Sequence, residues 1–166
     1  MADTSLQYFE ALLADRWQPT YDGPAGTRSN DVPQPTIAIA TDKATKRLDP
    51  RREDLLFVRE GGAQQLTPRS VGWTEQRTET LVTLDCRTTQ SRQRLEGTRN
   101  GANEKEAYGG LRGEVKRILD TVRTGDKEFD WVNGYEYRPL SEDMGFGNWR
   151  GAWEVRLTEL AEDIQP

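Results

Sequence analysis

The clearest strand pattern in the chain is Thr78-Glu79-Thr80-Leu81-Val82-Thr83-Leu84-Asp85-Cys86-Arg87. Small or apolar residues recur at every second position from Thr80 to Cys86, and the residues between them are mainly polar. A period of two places alternate side chains on opposite faces of a strand. Leu81 interrupts the polar face, so we expect that face to be partly covered as well. We predict that this strand lies in the centre of a sheet and that Cys86 packs there as a small apolar side chain.

Two amphipathic helices are predicted on either side of this strand. Apolar residues recur at helical spacing over 6–17, so the first helix should begin near Ser5 and end before Pro19. A second apolar stripe covers 111–122, and Gly125 follows it as a helix terminator. Each helix should bury its apolar face against the sheet.

Four further segments are predicted to be strands, because they are rich in apolar and β-branched residues or alternate with a period of two. They are 36–41, 55–60, 129–140 and 148–160, and a glycine-rich segment joins the last two. The sequence therefore predicts an α+β fold in a single domain spanning 1–166. Its core would be an antiparallel or mixed β-sheet of about five strands packed with the two amphipathic helices.

Two long segments carry no periodic apolar pattern. Residues 20–35 include three prolines and two glycines, and residues 88–106 include several arginines and glycines. Loops of this length without internal structure are uncommon in compact domains and are usually functional or disordered. We interpret both segments as arm-like loops.

The charge balance limits the classes of partner. The chain has 28 acidic and 23 basic residues, a net charge of −5, with 18 arginines, 5 lysines and no histidine. A general nucleic-acid-binding protein is normally basic, so that class is excluded. An acidic, lysine-poor composition suits a halophilic source, and a GC-rich genome that encodes arginine in preference to lysine is the alternative explanation.

The same composition removes most catalytic chemistry. A single cysteine without histidine cannot supply a zinc or transition-metal site, and Ser/His/Asp or Cys/His nucleophiles are excluded for the same reason. Carboxylate, lysine or tyrosine chemistry remains open. The glycines of 109–113 precede a helix but lack the lysine and the Ser/Thr of a phosphate-binding loop, so we interpret them as close-packing positions. We expect no catalytic residue, no metal and no cofactor.

The candidate contact residues are one arginine group and one aromatic. Arg87, Arg92, Arg94 and Arg99 form the main basic concentration, and such a loop can pair with carboxylates of a protein partner or with DNA phosphates. A purely solvated loop is the other interpretation. Trp73 stands alone in a turn-like stretch, and we expect it to lie in an interface, where buried aromatics contribute strongly.

The order of helix, three strands, long loop, helix and two strands resembles the tail-terminator (tail-completion) proteins of long-tailed phages and archaeal tailed viruses. The likeness covers most of the chain. It rests on the first helix at 6–17, on Ala107-Tyr108-Gly109-Gly110-Leu111-Arg112-Gly113-Glu114-Val115, and on Asn148-Trp149-Arg150-Gly151-Ala152-Trp153-Glu154-Val155. The prolines of 20–35 match no feature of that family.

The resemblance implies a structural, non-enzymatic virion protein. It would form a homohexameric ring at the head-proximal end of the tail tube, end tube polymerisation and join the tail to the head connector. The implied partners are further copies of the chain, the tail-tube protein, the head–tail connector protein, and double-stranded DNA that passes through the lumen without sequence-specific binding. Its place would be the tail or neck of the virion, assembled in the host cytoplasm, and the sequence predicts no secretion signal and no membrane contact.

Assembly would also compensate for a thin core. Leu, Ile, Val and Phe together number only 31 of the 166 residues, so burial between copies would add to the stability of each subunit. Two alternatives stay open at this point. One is another neck component, such as a head-completion or connector-adaptor protein. The other is a small intracellular α+β ligand-binding domain or enzyme.

Overall fold

The chain is described by a computed structural model that covers residues 2–49, 51–66, 77–100, 104–105, 107–125, 132–141 and 149–160. The helices are α1 (Ala2–Arg16), α2 (Asp42–Arg47), α3 (Arg92–Glu96) and α4 (Gly110–Gly125). The main strands are β3 (Thr36–Ile39), β4 (Leu55–Leu66), β5 (Arg77–Thr88), β8 (Val132–Ser141) and β9 (Trp149–Leu160). Two short antiparallel strand pairs are β1 (Asp22–Gly23) with β2 (Gly26–Thr27), and β6 (Arg99–Asn100) with β7 (Glu104–Lys105).

The five main strands form one mixed sheet in the order β3-β4-β5-β9-β8. β3 pairs parallel to β4, and all other neighbours pair antiparallel. The strand quoted at the start of the sequence analysis is β5, and its central position is confirmed. The α+β fold with a five-stranded mixed sheet is also as predicted.

The hydrophobic core lies between one face of the sheet and the helices α1, α3 and α4. From β5, Val82, Leu84 and Cys86 point into it and are buried, as the alternation predicted. The helices contribute Leu6, Phe9, Leu12, Leu13, Trp17, Leu95, Leu111, Val115, Ile118, Leu119 and Val122. We call this side of the sheet the core face and the opposite side the outer face.

The boundaries of several elements differ from the prediction. α1 begins at Ala2 instead of near Ser5, and β4 continues past Glu60 to Leu66. The predicted strand ends at Glu60 because Gly61 and Gly62 follow it, and glycines are unfavourable inside a strand. In the structure the pairing of β4 with β5 shifts register between Glu60 and Gly62, and β4 continues beyond the two glycines. The glycine-rich segment between β8 and β9 lies outside the described residues.

The segment 88–106, predicted to be a structureless loop, contains α3. Ser91 caps this short helix, since its hydroxyl accepts a hydrogen bond from the backbone N–H of Arg94 at 3.0 Å. α2 was not predicted either, and Thr41 caps it in the same way through the N–H of Ala44 at 3.1 Å. Both helices are too short to show an apolar period, so only their caps mark them in the sequence.

Glycines allow α3 and α4 to meet at close range. A Cβ added at Gly97 would lie 2.7 Å from the backbone of Gly109, and one added at Gly110 would lie 2.6 Å from the backbone N of Gly97. Gly110 also adopts φ +70°, a conformation that favours glycine. The prediction that the glycines of 109–113 serve close packing is therefore confirmed at Gly110, the first residue of α4.

Candidate protein-interaction surface

The outer face of the sheet carries a cluster of arginines around one aspartate. β4 contributes Arg59, β5 contributes Asp85 and Arg87, and β9 contributes Arg150. The register brings them together because Arg87 pairs directly with Arg150, and Asp85 lies two residues before Arg87 on the same face. We call Arg59, Arg87 and Arg150 the arginine cluster.

All three arginines contact one oxygen of Asp85. Asp85 Oδ2 accepts hydrogen bonds from Arg87 Nη2 at 3.0 Å and from Arg150 Nη2 at 3.1 Å, and Arg59 Nε lies 3.4 Å away. Asp85 itself is only 1% exposed, so its charge is compensated at short range by these cations. The aspartate thus holds three guanidinium groups, one from each of three strands, at one place on the sheet.

The cluster carries more positive charge than its aspartate neutralises. Three guanidinium groups surround one carboxylate, which leaves a local charge of +2. The side chains of Arg59 and Arg150 are each 37% exposed, and that of Arg87 is 21% exposed. Within the described residues, Asp85 Oδ1 and Arg150 Nε are buried without a hydrogen-bond partner. The cluster is therefore partly open to solvent, and contacts within the described residues do not use all of its hydrogen-bonding groups.

The aromatic ring of Phe57 packs against two of the three guanidinium groups. The guanidinium carbons of Arg59 and Arg87 lie 5.5 and 5.0 Å from the centroid of the Phe57 ring, within cation–π range. Phe57 is 1% exposed. Arginine stacks on aromatic faces and is weakly hydrated, so this arrangement both orients the guanidinium groups and lowers the cost of burying them in an interface.

The structure separates the four arginines that the sequence grouped together. Arg87 belongs to the arginine cluster, whereas Arg94 pairs with Asp54 at 3.1 Å and the exposed Arg92 lies 3.5 Å from Glu96. The backbone of Arg99 lies in β6 and pairs with Lys105. Trp73, the predicted interface aromatic, lies outside the described residues.

Sequence reasoning missed Arg59, Asp85 and Arg150 as site residues. The alternation did place Asp85 and Arg150 on the polar faces of their strands, but it does not tell which strands are neighbours. β4 follows β3 and precedes β5, while β9 reaches the other side of β5 only after β8. Asp85 lies on the partly covered face of a central strand, and a buried carboxylate needs cationic partners. That position was the sequence feature from which arginines near Asp85 could have been predicted.

A second ion network is buried beneath the segment 20–35 and fixes it to α4. Glu114 on α4 is buried and pairs with Arg28 Nη2 at 2.7 Å and Arg117 Nη2 at 2.7 Å. Its Oε2 also accepts the backbone N–H of Gln18 at 2.6 Å. Arg28 Nε donates to the backbone oxygen of Tyr108 at 2.7 Å. The first predicted arm is therefore anchored at Arg28 to the rest of its own chain.

Asp120 on α4 forms a third polar group with two tyrosines and a lysine. Tyr108 donates to Asp120 Oδ2 at 2.7 Å, Tyr135 donates to Oδ1, and Lys116 Nζ lies 3.4 Å away. Burial opposes ionisation of Asp120, but the hydrogen bonds from Tyr135 and Tyr108 and the charge of Lys116 outweigh it and lower its pKa. Burial, and then the hydrogen bond to Asp120, raises the pKa of Tyr108. An ionised Asp120 that accepts hydrogen bonds from neutral tyrosines suits a structural role for this group.

A small polar cavity of about 220 Å³ lies beside α3. It is lined by Asn30, Asp31, Val32, Ser91, Gln93, Arg94, Gly97, Thr98 and Gly110. Ligand pockets usually enclose about 300–1,000 Å³ and are mainly apolar. Its one cation, Arg94, is already paired with Asp54. These features favour a solvent-filled cleft over a binding site for a small organic ligand.

In the part of the chain that the structure describes, no helix is long and apolar enough to cross a membrane, and no three His, Cys, Asp or Glu side chains group as metal ligands. No protein-family model matches the chain, and no curated protein matches it either.

Proposed function

We propose that the chain is a structural subunit of a closed ring in the neck of a tailed virion, where it acts as a tail terminator. The observation that carries this proposal is the arginine cluster. It is a preorganised, partly exposed and positively charged surface at the centre of a sheet, on a chain whose net charge is −5. Such a surface suits contact with a protein partner, since arginine forms bidentate pairs with carboxylates and is enriched at interfaces.

A ring needs a subunit with two different, complementary surfaces. In a heterologous contact, one surface of each copy meets a different surface of the next, and a closing rotation generates a cyclic oligomer. The arginine cluster is positive while the chain as a whole is negative, so the two sides of such a contact would differ in charge. This asymmetry favours a heterologous contact over a self-complementary one, in which two positive clusters would repel each other.

The anchored segment 20–35 also supports a rigid building block. Trp17 Nε1 donates to the backbone oxygen of Val32 at 2.9 Å, and Arg28 joins the same segment to α4. A subunit that holds this segment in place loses less conformational entropy when it assembles. The net negative charge further suits a lumen through which DNA slides, because adhesion to phosphate depends on lysine and arginine.

Electron microscopy and native mass spectrometry of the purified chain test this proposal. We expect a ring of six copies, and we expect tail tubes assembled with this protein to stop at a uniform length. A ring of another order, such as twelve, would indicate a different neck component. A stable monomer at high protein concentration, with no effect on tube length, would overturn the proposal.

A further inference from the structure

We propose that the arginine cluster is the docking site for acidic side chains of a second copy of this chain. This inference rests on the ring function proposed above and names the residues of one side of its subunit contact. The occupant is a set of aspartate or glutamate carboxylates on the neighbouring copy.

Charge complementarity is the first argument. The cluster with Asp85 contributes +2 to a chain whose total is −5, so the remainder of each copy carries −7. A neighbouring copy therefore offers many carboxylates. Bringing one of them to the cluster would complete a charge-assisted pair, and each guanidinium can form two parallel hydrogen bonds with a carboxylate.

The arginine cluster is already ordered by contacts within a single chain, without a partner. Asp85 engages the three guanidinium groups mainly through one oxygen, Oδ2, and Phe57 supports two of them. A guanidinium carries five N–H donors, and the side chains of Arg59 and Arg150 are each 37% exposed, so both can donate to an incoming acceptor while they contact Asp85. Side chains that are already ordered lose little entropy on binding, which strengthens the contact.

The charges of the outer face are unevenly distributed, which makes the arginine cluster the preferred place for an acidic partner. Next to the cluster, Arg138 Nη1 pairs with Glu154 Oε1 at 3.4 Å; the Arg138 side chain is exposed and that of Glu154 is partly exposed. That pair is neutral overall, whereas the cluster keeps its excess charge. An acidic partner is therefore drawn to Arg59, Arg87 and Arg150 and not uniformly to the whole face.

DNA phosphate is the competing occupant, and the charge pattern disfavours it. A duplex presents a long line of phosphates, and tight binding needs several cations spread along that line. The cluster instead concentrates a charge of +2 at one point of an acidic chain, which suits a short group of carboxylates. DNA binding through the cluster is one outcome of the experiment below.

The experiment uses the full chain with Arg59→Gln and Arg150→Gln combined. These two side chains are the most exposed of the arginine cluster, and after both substitutions Asp85 still pairs with Arg87. The matched control is Arg138→Gln, which lies on the same face but in the neutral pair. We expect the double variant to stay folded but to melt at a lower temperature, since the buried Asp85 then keeps only Arg87. Well below that melting temperature, its self-association should be weakened at least about tenfold in sedimentation measurements. The control should associate as the wild type does.

A cross-linking measurement identifies the occupant and covers the case in which the glutamine variant fails to fold. In Arg59→Lys and Arg150→Lys variants, a water-soluble carbodiimide joins the new amine to a carboxylate within contact distance, with loss of water to the reagent. Mixing ¹⁴N and ¹⁵N copies separates links between copies from links to Asp85 in the same chain. We expect mass spectrometry to find links from position 59 or 150 to Asp or Glu of the other isotope.

The outcomes separate the two proposals. If rings form but cross-links stay within one chain and the double variant associates normally, the docking inference is overturned while the ring function stands. If the double variant loses binding to a fluorescent DNA duplex and keeps its self-association, the cluster contacts DNA instead. If the wild type forms no ring at all, both proposals fall together.

Discussion

Arg28 Nη2 donates to Glu114 Oε1 at 2.7 Å across 86 positions of sequence, and both side chains are buried. The pair connects a proline- and glycine-rich segment to α4, close to the N-terminal end of that helix. Glu114 also receives Arg117 and a backbone N–H, so its charge is fully engaged. A segment with the composition of a loose arm is thereby made part of the folded chain.

The first prediction concerns this pair. Arg28→Ala leaves Glu114 with one cation fewer in a buried site, and we expect the free energy of unfolding to fall by about 3–5 kcal/mol. Chemical denaturation followed by circular dichroism measures the change. Arg51→Ala is the control, since Arg51 is 83% exposed and pairs with Asp49, and it should change the free energy by less than about 1 kcal/mol. Equal effects of the two substitutions would contradict the anchoring role of Arg28.

The contact between α3 and α4 gives a second prediction. Gly110→Ala places a Cβ 2.6 Å from the backbone oxygen of Leu95 at a residue with φ +70°. Since backbone atoms on both sides must move, we expect the variant to lose at least about 2 kcal/mol of stability. Gly134→Ala in β8 has nothing within 4 Å of the new Cβ and should keep its stability to within about 1 kcal/mol. A neutral Gly110→Ala would show that the two segments are free to separate.

Asp120 gives a prediction about acid stability. Its pKa is lowered in the folded chain, so its stabilisation is present above the ordinary carboxyl pKa and is lost as pH falls through the folded pKa. Asp120→Asn removes this contribution, and the melting temperature should then fall less steeply between about pH 6 and about pH 3 than in the wild type. Asp15→Asn, at an exposed position of α1, is the control. Parallel curves for Asp120→Asn and the wild type would rule out this role.

Cys86 gives a prediction about reactivity. Burial raises the pKa of its thiol, and the side chain is 0% exposed within the core. A thiol reagent such as Ellman's reagent should therefore leave the native protein unmodified and react only as the chain unfolds. The rate in increasing denaturant, followed at 412 nm, should track the loss of helical signal. Rapid stoichiometric labelling of the native state would be incompatible with the core position.

The sequence is informative where a long element has one apolar face. The period of two in β5 correctly predicts its central position and the burial of Val82, Leu84 and Cys86, and the stripe of α4 correctly predicts that helix. Short elements escape this reasoning because α2 and α3 span less than two full turns, and only Thr41 and Ser91 mark their beginnings.

Charged contacts between distant residues were the least predictable feature. Glu114 falls among apolar positions of α4 and signals that a buried cation is needed, but nothing in the sequence identifies Arg28 as that cation. The arginine cluster depends on strand order, which periodicity does not contain. Neighbouring arginines in sequence, such as Arg92 and Arg94, instead pair with different acids.

The position of β9 has a consequence for the nascent chain. β5 pairs with β9 along its whole length, and Arg150 on β9 follows Asp85 by 65 positions. While β9 is still inside the ribosome, the edge of β5 that pairs with β9 is unpaired. At that stage Asp85 can pair only with Arg59 of β4 and Arg87 of β5. Asp85 therefore gains its third guanidinium partner, Arg150, only when translation has delivered β9.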